Sequence, residues 1–332
     1  MPKDEDKRRR EKGKPKVRHI STLKKGKGGK PQNQKKLKQE KGFEMKAQDQ
    51  LNQTVERLIE KIEQCGTKWI QPFNASFPQN YKTNTSYNGL NILNLWMEAE
   101  DRGYSTNYWL TFNQVKELKG QVKKGERSTP IFFFKPIKKL VEDEETGERE
   151  EKTIPVLKMY YVFNIEQTTL EVPTIETQEK ENIEQFITNY GIQIRKSHKG
   201  AFYMPATDYI GMPAQSDFLS PDLYYAVLFH ELAHSTGHTS RLNRDLSGNM
   251  KGNEKALKSY AKEELIAETT RAFLQVHFGL NTTDMEEQNA AYLKSWLKPL
   301  KDDPKMLWKI FSDASKAFNF LIQFAKNEEA AA

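Results

Sequence analysis

The segment His230-Glu231-Leu232-Ala233-His234 sets two imidazoles four residues apart, with a carboxylate directly after the first. On a helix, residues i and i+4 lie on one face on consecutive turns, so both rings point the same way. Two neutral nitrogen donors in that arrangement suit a zinc ion, Zn2+, which takes a third protein ligand from elsewhere and leaves one position for water. Glu231 can reach that water from the side and accept its proton as it attacks a carbonyl, the task of a general base in metal-assisted peptide hydrolysis. The carrying helix is signalled by SPDLYYAVLFHELAHSTGH, in which Ser220 is the N-cap, Pro221 takes the first helical position, and Leu223, Val227, His230 and His234 form one stripe.

The third ligand separates zinc classes. Six residues beyond His234 stands Ser240, not histidine, so a three-histidine set is excluded; His238 reads as a polar residue at the helix C-terminus. SYAKEELIAETTRAFL supplies carboxylates instead. Glu264 and Glu268 are four apart and share a face, so we assign Glu264 as the metal ligand and Glu268 as the carboxylate that orients a ligand imidazole through its other nitrogen. The reverse assignment stays open. Glu263 is expected to point away as a solvated charge, and Tyr260, one turn before Glu264, is the candidate to hydrogen-bond a developing oxyanion.

Charge is unevenly placed along the 332 residues. Residues 1–41 hold 17 of the 52 Lys and Arg but 5 of the 45 Asp and Glu, so this stretch is net +12 and the remainder net −5. With almost nothing apolar to bury, residues 1–45 are expected to be a disordered basic tail suited to polyanions. The lone Cys65 rules out an intrachain disulfide and favours a reducing compartment. No run approaches the length of a membrane span and no apolar segment follows MPKDEDKRRR, so the expectation is a soluble, cytoplasmic protein with no membrane partner.

The elements define an α+β protein of two domains. Leu51, Val55, Leu58, Ile59 and Ile62 recur at helical spacing from Lys46 to Gln64. A second helix, Asn91 to Glu100, stops at Gly103, and a strand or turn at YWLT leads into a helix ending at Gly120. STPIFFFKPI and MYYVFNI read as strands flanking a charged loop around Gly147. A first domain is placed at 46–168, a polar, Pro-interrupted linker at 169–180, and a second domain at 181–332 with strand-like AFYMP and YIGMP followed by four helices.

Several strings, in order, resemble the ArdC-type antirestriction proteins of conjugative plasmids and phages: WIQPF, PQNYKTNTSYNGLN, RGYSTNYWLTFNQV, VKKGERS and VFNIEQT in the first domain, then AFYMPATDYIGMP, YYAVLFHELAHSTGHTSRLNR, YAKEELIAE and AAYLKSWLKPLKDDP in the second. The resemblance implies a single-stranded-DNA-binding domain joined to a zincin-like metallopeptidase domain. Aromatics in turn-rich stretches with interleaved cations permit that reading, because rings stack on bases while cations track phosphates. The candidate DNA contacts are Trp69, Lys82, Tyr87, Asn91, Trp109, Lys123 and Lys124, and single-stranded DNA is the expected partner. The alternative is a cytosolic zinc peptidase whose first domain recruits a host protein as substrate.

Overall fold

In the computed structural model, which describes residues 31–65, 76–142, 149–173, 182–248, 251–280 and 303–325, the first element is helix α1, Pro31–Cys65. It begins well before Lys46, and the part of the basic tail that precedes Pro31 lies outside the described residues. The reason is local: Lys, Gln and Glu are good helix formers, and proline fits the first helical turn. The apolar stripe behaves as its spacing requires, with Leu51, Val55, Leu58 and Ile59 buried.

The first sheet is built from β1 (Gln79–Asn80), β2 (Tyr108–Thr111), β3 (Thr129–Glu142) and β4 (Arg149–Asn164), in the order β1-β2-β4-β3. Strands β3 and β4 form a long antiparallel hairpin, paired from Thr129↔Val162 to Glu142↔Arg149. Both strands extend further into the charged segment than the apolar runs indicate, because cross-strand backbone bonds continue whatever the side chains. Helix α2 (Leu90–Arg102) lies along the β3 edge, ended by Gly103 at φ 68°, a left-handed turn that glycine adopts without strain. Asn91 replaces a missing strand there: its Nδ2 donates to the Phe132 carbonyl at 2.7 Å and its Oδ1 accepts from the Phe132 amide at 2.9 Å. Helix α3 (Phe112–Glu117) starts in a capping box between Thr111 and Gln114.

The second half opens with helix α4 (Ile183–Tyr190) and a small sheet, β5 (Gln193–Lys196), β6 (Phe202–Met204) and β7 (Tyr209–Met212), in the order β5-β7-β6. Helices α5 (Pro221–Ser235), α6 (Glu254–Phe278) and α7 (Pro304–Leu321) follow. The segment AAYLKSWLKPL and residues 174–180 of the expected linker lie outside the described residues.

Residues Phe43–Ala332 form one compact unit. The two halves meet through a common core: Trp96 packs edge-on against Phe273 at 5.7 Å, Phe77 stacks on Phe318 at 4.9 Å, and the Gly89 amide donates to Ser315 Oγ at 2.7 Å. Phe273 stands on the same helix as the carboxylates singled out in the sequence, so the first half of the chain helps to hold α6 in place.

Candidate metal centre

Helix α5 carries both histidines. Ser220 caps it by accepting the Leu223 amide, and Pro221 sits in its first turn. Almost every face of the helix is buried, including Ala226, Leu228, Phe229, Leu232 and Ala233, which fixes its rotation and aims both rings at α6. The His230 and His234 Nε2 atoms lie 3.1 Å apart. Glu264 on α6 faces them, with Oε2 at 3.4 Å from His230 Nε2 and Oε1 at 3.9 Å from His234 Nε2.

One donor atom from each of His230, His234 and Glu264 falls within 4.8 Å of the other two. Each imidazole is held from behind. His230 Nδ1 meets Glu268 Oε2 at 3.3 Å, and His234 Nδ1 meets Glu263 Oε1 at 3.2 Å. This arrangement leaves both Nε2 atoms as the donors that face Glu264, with ring orientation fixed by carboxylates. The donor set therefore fits a divalent ion in chemistry and in mutual spacing.

Glu263 corrects the expectation of a solvated charge, since it is buried and doubly held. Arg244 donates to it through Nε at 2.9 Å and Nη2 at 2.7 Å, while Nη1 donates to Thr236 Oγ1 at 2.6 Å and Nη2 also reaches the Ala233 carbonyl at 2.9 Å. Glu268 has a matching partner in Arg271, whose Nε donates at 2.9 Å and whose Nη2 makes a second close contact. Arg244 and Arg271, which no motif or spacing in the sequence singles out, are thus the counter-charges of the two carboxylates behind the histidines.

Charge balance follows from these partners. Burial disfavours ionised Glu268, yet Arg271 and His230 overcome that and hold its carboxyl at about 2. Burial likewise opposes ionisation of Glu263 and Glu264; Arg244 with His234, and His230 with Tyr260, keep both below the usual carboxylate range. Burial disfavours a charged His230, but Glu264 and Glu268 outweigh it and push the imidazole up to about 10.

The cluster opens into a cleft of about 420 Å³, lined on one side by Phe202, Tyr203 and Pro205 around β6 and on the other by Glu231, Tyr260 and Gly248. Glu231 is buried and lines this cleft. Tyr260 is hydrogen-bonded to Glu264, so its hydroxyl is tied to a candidate ligand. Gly248 lets the loop after α5 lie against α6, since a Cβ there would sit 2.2 Å from the Tyr260 amide nitrogen. His238 lies beyond the helix in a turn, 2.8 Å from Ser240 Oγ, and outside the cluster.

The candidate DNA contacts fare differently. Trp109, Asn91 and Tyr87 are 0%, 2% and 8% exposed, which corrects their assignment: Trp109 is a core residue of β2, Asn91 is spent on the β3 backbone, and Tyr87 is covered. Trp69 lies outside the described residues. Lys82, Lys123 and Lys124 are exposed, with Lys82 paired to Glu117 and Lys123 donating to the Glu166 carbonyl at 2.8 Å. Among the described residues, Phe133, Phe134, Tyr160 and Tyr161 are exposed aromatics on the hairpin. Phe133 and Tyr160, 43% and 51% exposed, pack edge-on at 5.8 Å. The register puts Lys158 directly across from Phe133 and leaves Lys135 on the same face.

A helix bearing His230 and His234 against a second helix bearing Glu264, with a short sheet along the cleft, defines a zincin-like metallopeptidase domain. Family comparison agrees: residues 181–316 match the zincin-like metallopeptidase model, and residues 48–163 match the N-terminal domain of anti-restriction factor ArdC. The chain belongs to the ArdC antirestriction family.

Crystal structures of antirestriction ArdC protein from plasmid R388 superpose with a TM-score of 0.67. The metal-free form is 38% identical over 83% of this chain and 97% of that one; the Mn(II)-bound form is 36% identical over 84% and 98%. An uncharacterized protein, y4eC, from Sinorhizobium fredii is 34% identical over 79% of this chain and 86% of its own length. DNA primase TraC of Escherichia coli is 33% identical over 83% of this chain, which spans only 27% of that protein. No helix among the described residues is long and apolar enough to cross a membrane.

Proposed function

We propose that the chain is an antirestriction-type protein that engages single-stranded DNA and carries a zinc-dependent peptidase site in its second half. The observation that carries the metal reading is the set of three converging donors with both imidazoles held from behind. In this reading His230, His234 and Glu264 hold the ion, which when bound supplies Lewis acidity toward a carbonyl and lowers the pKa of an adjacent water. Glu231 accepts the proton of the attacking water from its place in the cleft wall. Glu268 and Glu263 keep the two imidazoles turned toward the ligand position. Tyr260 holds Glu264, and with substrate in the cleft its hydroxyl is the candidate donor to a developing oxyanion.

The Phe133–Tyr160 pair with Lys135 and Lys158 supports the DNA reading, because exposed rings and flanking cations are what a single strand binds without sequence preference. The neighbours named for antirestriction and for DNA priming add to it. The test is a salt-dependent titration of the full chain with single- and double-stranded DNA. Phe133→Ala with Tyr160→Ala should lower single-strand affinity by about 5- to 150-fold, the equivalent of one stacked base at roughly 1 to 3 kcal/mol, and leave metal content unchanged. Equal affinity for both DNA forms in the unaltered chain would refute this interface.

A further inference from the structure

A groove of about 640 Å³ lies between the first half of α6 and helix α7, and it shares Glu263 with the metal cleft. Its walls carry both signs of charge, but the acids are already engaged. Asp245 accepts from the Ser247 amide at 3.0 Å and from Ser259 Oγ at 2.8 Å, Glu254 pairs with Lys258 at 2.8 Å, and Glu263 is clamped by Arg244.

The cations are arranged otherwise. Lys255, Lys258 and Lys262 fall at spacings of three and four along α6, so they form one stripe about 10 Å long. Lys309 faces them from α7. Lys262 reaches the Asp313 carboxylate only at 3.8 Å, while that aspartate is held at 3.0 Å by Lys316. Among the described residues Lys255 and Lys309 make no ion pair. The groove's acids are thus paired locally, Lys258 being the partner of Glu254, while Lys255 and Lys309 are exposed cations on its two walls; the lining's surplus positive charge attracts an anion with several charged oxygens.

We propose that this groove binds a phosphate-bearing ligand, either the backbone of a DNA strand or a free polyphosphate. The first source rests on the DNA reading above; the second does not. A strand lying here would pass beside the metal cleft, with the Arg244–Glu263 pair between its phosphates and His234.

The experiment uses the full chain, with tripolyphosphate and oligothymidylate as probes. Its variants are Lys255→Glu/Lys309→Glu, which reverses one exposed charge on each wall, and the milder Lys255→Gln/Lys309→Gln. If the ligand is a strand, the Glu variant should bind oligothymidylate about 10-fold more weakly at low salt. Its plot of log affinity against log salt should also be shallower, by about 0.7 for each phosphate no longer neutralised. If the ligand is a free polyphosphate, tripolyphosphate binding should disappear while oligothymidylate binding holds. The Gln variant should move in the same direction by less. The Phe133→Ala/Tyr160→Ala variant should keep tripolyphosphate binding, so failure of the hairpin interface would not take the groove with it. Wild-type affinity for both probes in the Glu variant, or no binding of either probe by the unaltered chain, would overturn the proposal.

Discussion

Replacing Glu263 by glutamine keeps the size of the side chain and one oxygen that can accept from His234 Nδ1, but removes the charge that Arg244 grips. The structure sets two expected costs. At the metal site, a carboxylate 3.2 Å behind His234 raises the basicity of that ligand and fixes its ring; losing such a partner weakens metal affinity by about 10- to 100-fold, or roughly 1.4 to 2.7 kcal/mol. In the fold, the Arg244 and Glu263 side chains are 8% and 9% exposed, and an uncompensated buried charge costs up to about 3–5 kcal/mol. Arg244 keeps Thr236 and the Ala233 carbonyl as acceptors, so the lower end of that range is expected. Chelator-competition titration of zinc gives the first quantity and urea unfolding of the metal-free protein the second. Zinc affinity within about twofold of wild type, together with unchanged unfolding, would refute the role given to Glu263.

Asn91→Ala should destabilise the fold by about 2 kcal/mol, since it leaves the Phe132 amide and carbonyl without their partners; calorimetry reads the loss, and strand preference in DNA binding should survive. Gly248→Ala should push the loop after α5 off Tyr260, visible as faster proteolysis of that loop and weaker metal binding with α5 intact by circular dichroism. Asp208 accepts from Arg241 at 3.0 Å and from Tyr203 at 2.8 Å, and Arg241 foremost holds its carboxyl below the usual range against partial burial. A depressed pKa contributes stability that is present above the unfolded value and lost as pH falls through the folded one. The stability gap between wild type and Asp208→Asn should therefore be open at pH 7 and narrow toward pH 3, and a gap that widens in acid would contradict the pairing.

The parts legible in the sequence are those written locally. A serine cap, a proline in the first turn and two histidines one turn apart specify α5 and its donor face without reference to the rest of the chain. Glu264 and Glu268 follow from the same periodicity on α6. Glu263 does not, because its direction depends on how α6 is rotated against α5 and on Arg244 arriving from the loop between them. The same limit misplaced the DNA candidates. Turn-rich surroundings suggested exposure for Tyr87 and Trp109, whereas burial is decided by α2 and the central position of β2 in its sheet. Phe133 and Tyr160 look like core residues in STPIFFFKPI and MYYVFNI, and what exposes them is the face they take: Phe132, Leu157 and Met159 on the opposite face of the hairpin are buried.

The peptidase reading of the second half requires that His230, His234 and Glu264 together hold a divalent ion while Glu231 does not. Elemental analysis after zinc reconstitution and desalting tests this directly on four proteins. Wild type and Glu231→Gln should each retain about one zinc per chain, whereas Glu264→Ala and the His230→Ala/His234→Ala double variant should lose most or all of it. Full zinc in the double variant, or loss of zinc in Glu231→Gln, would contradict the assignment.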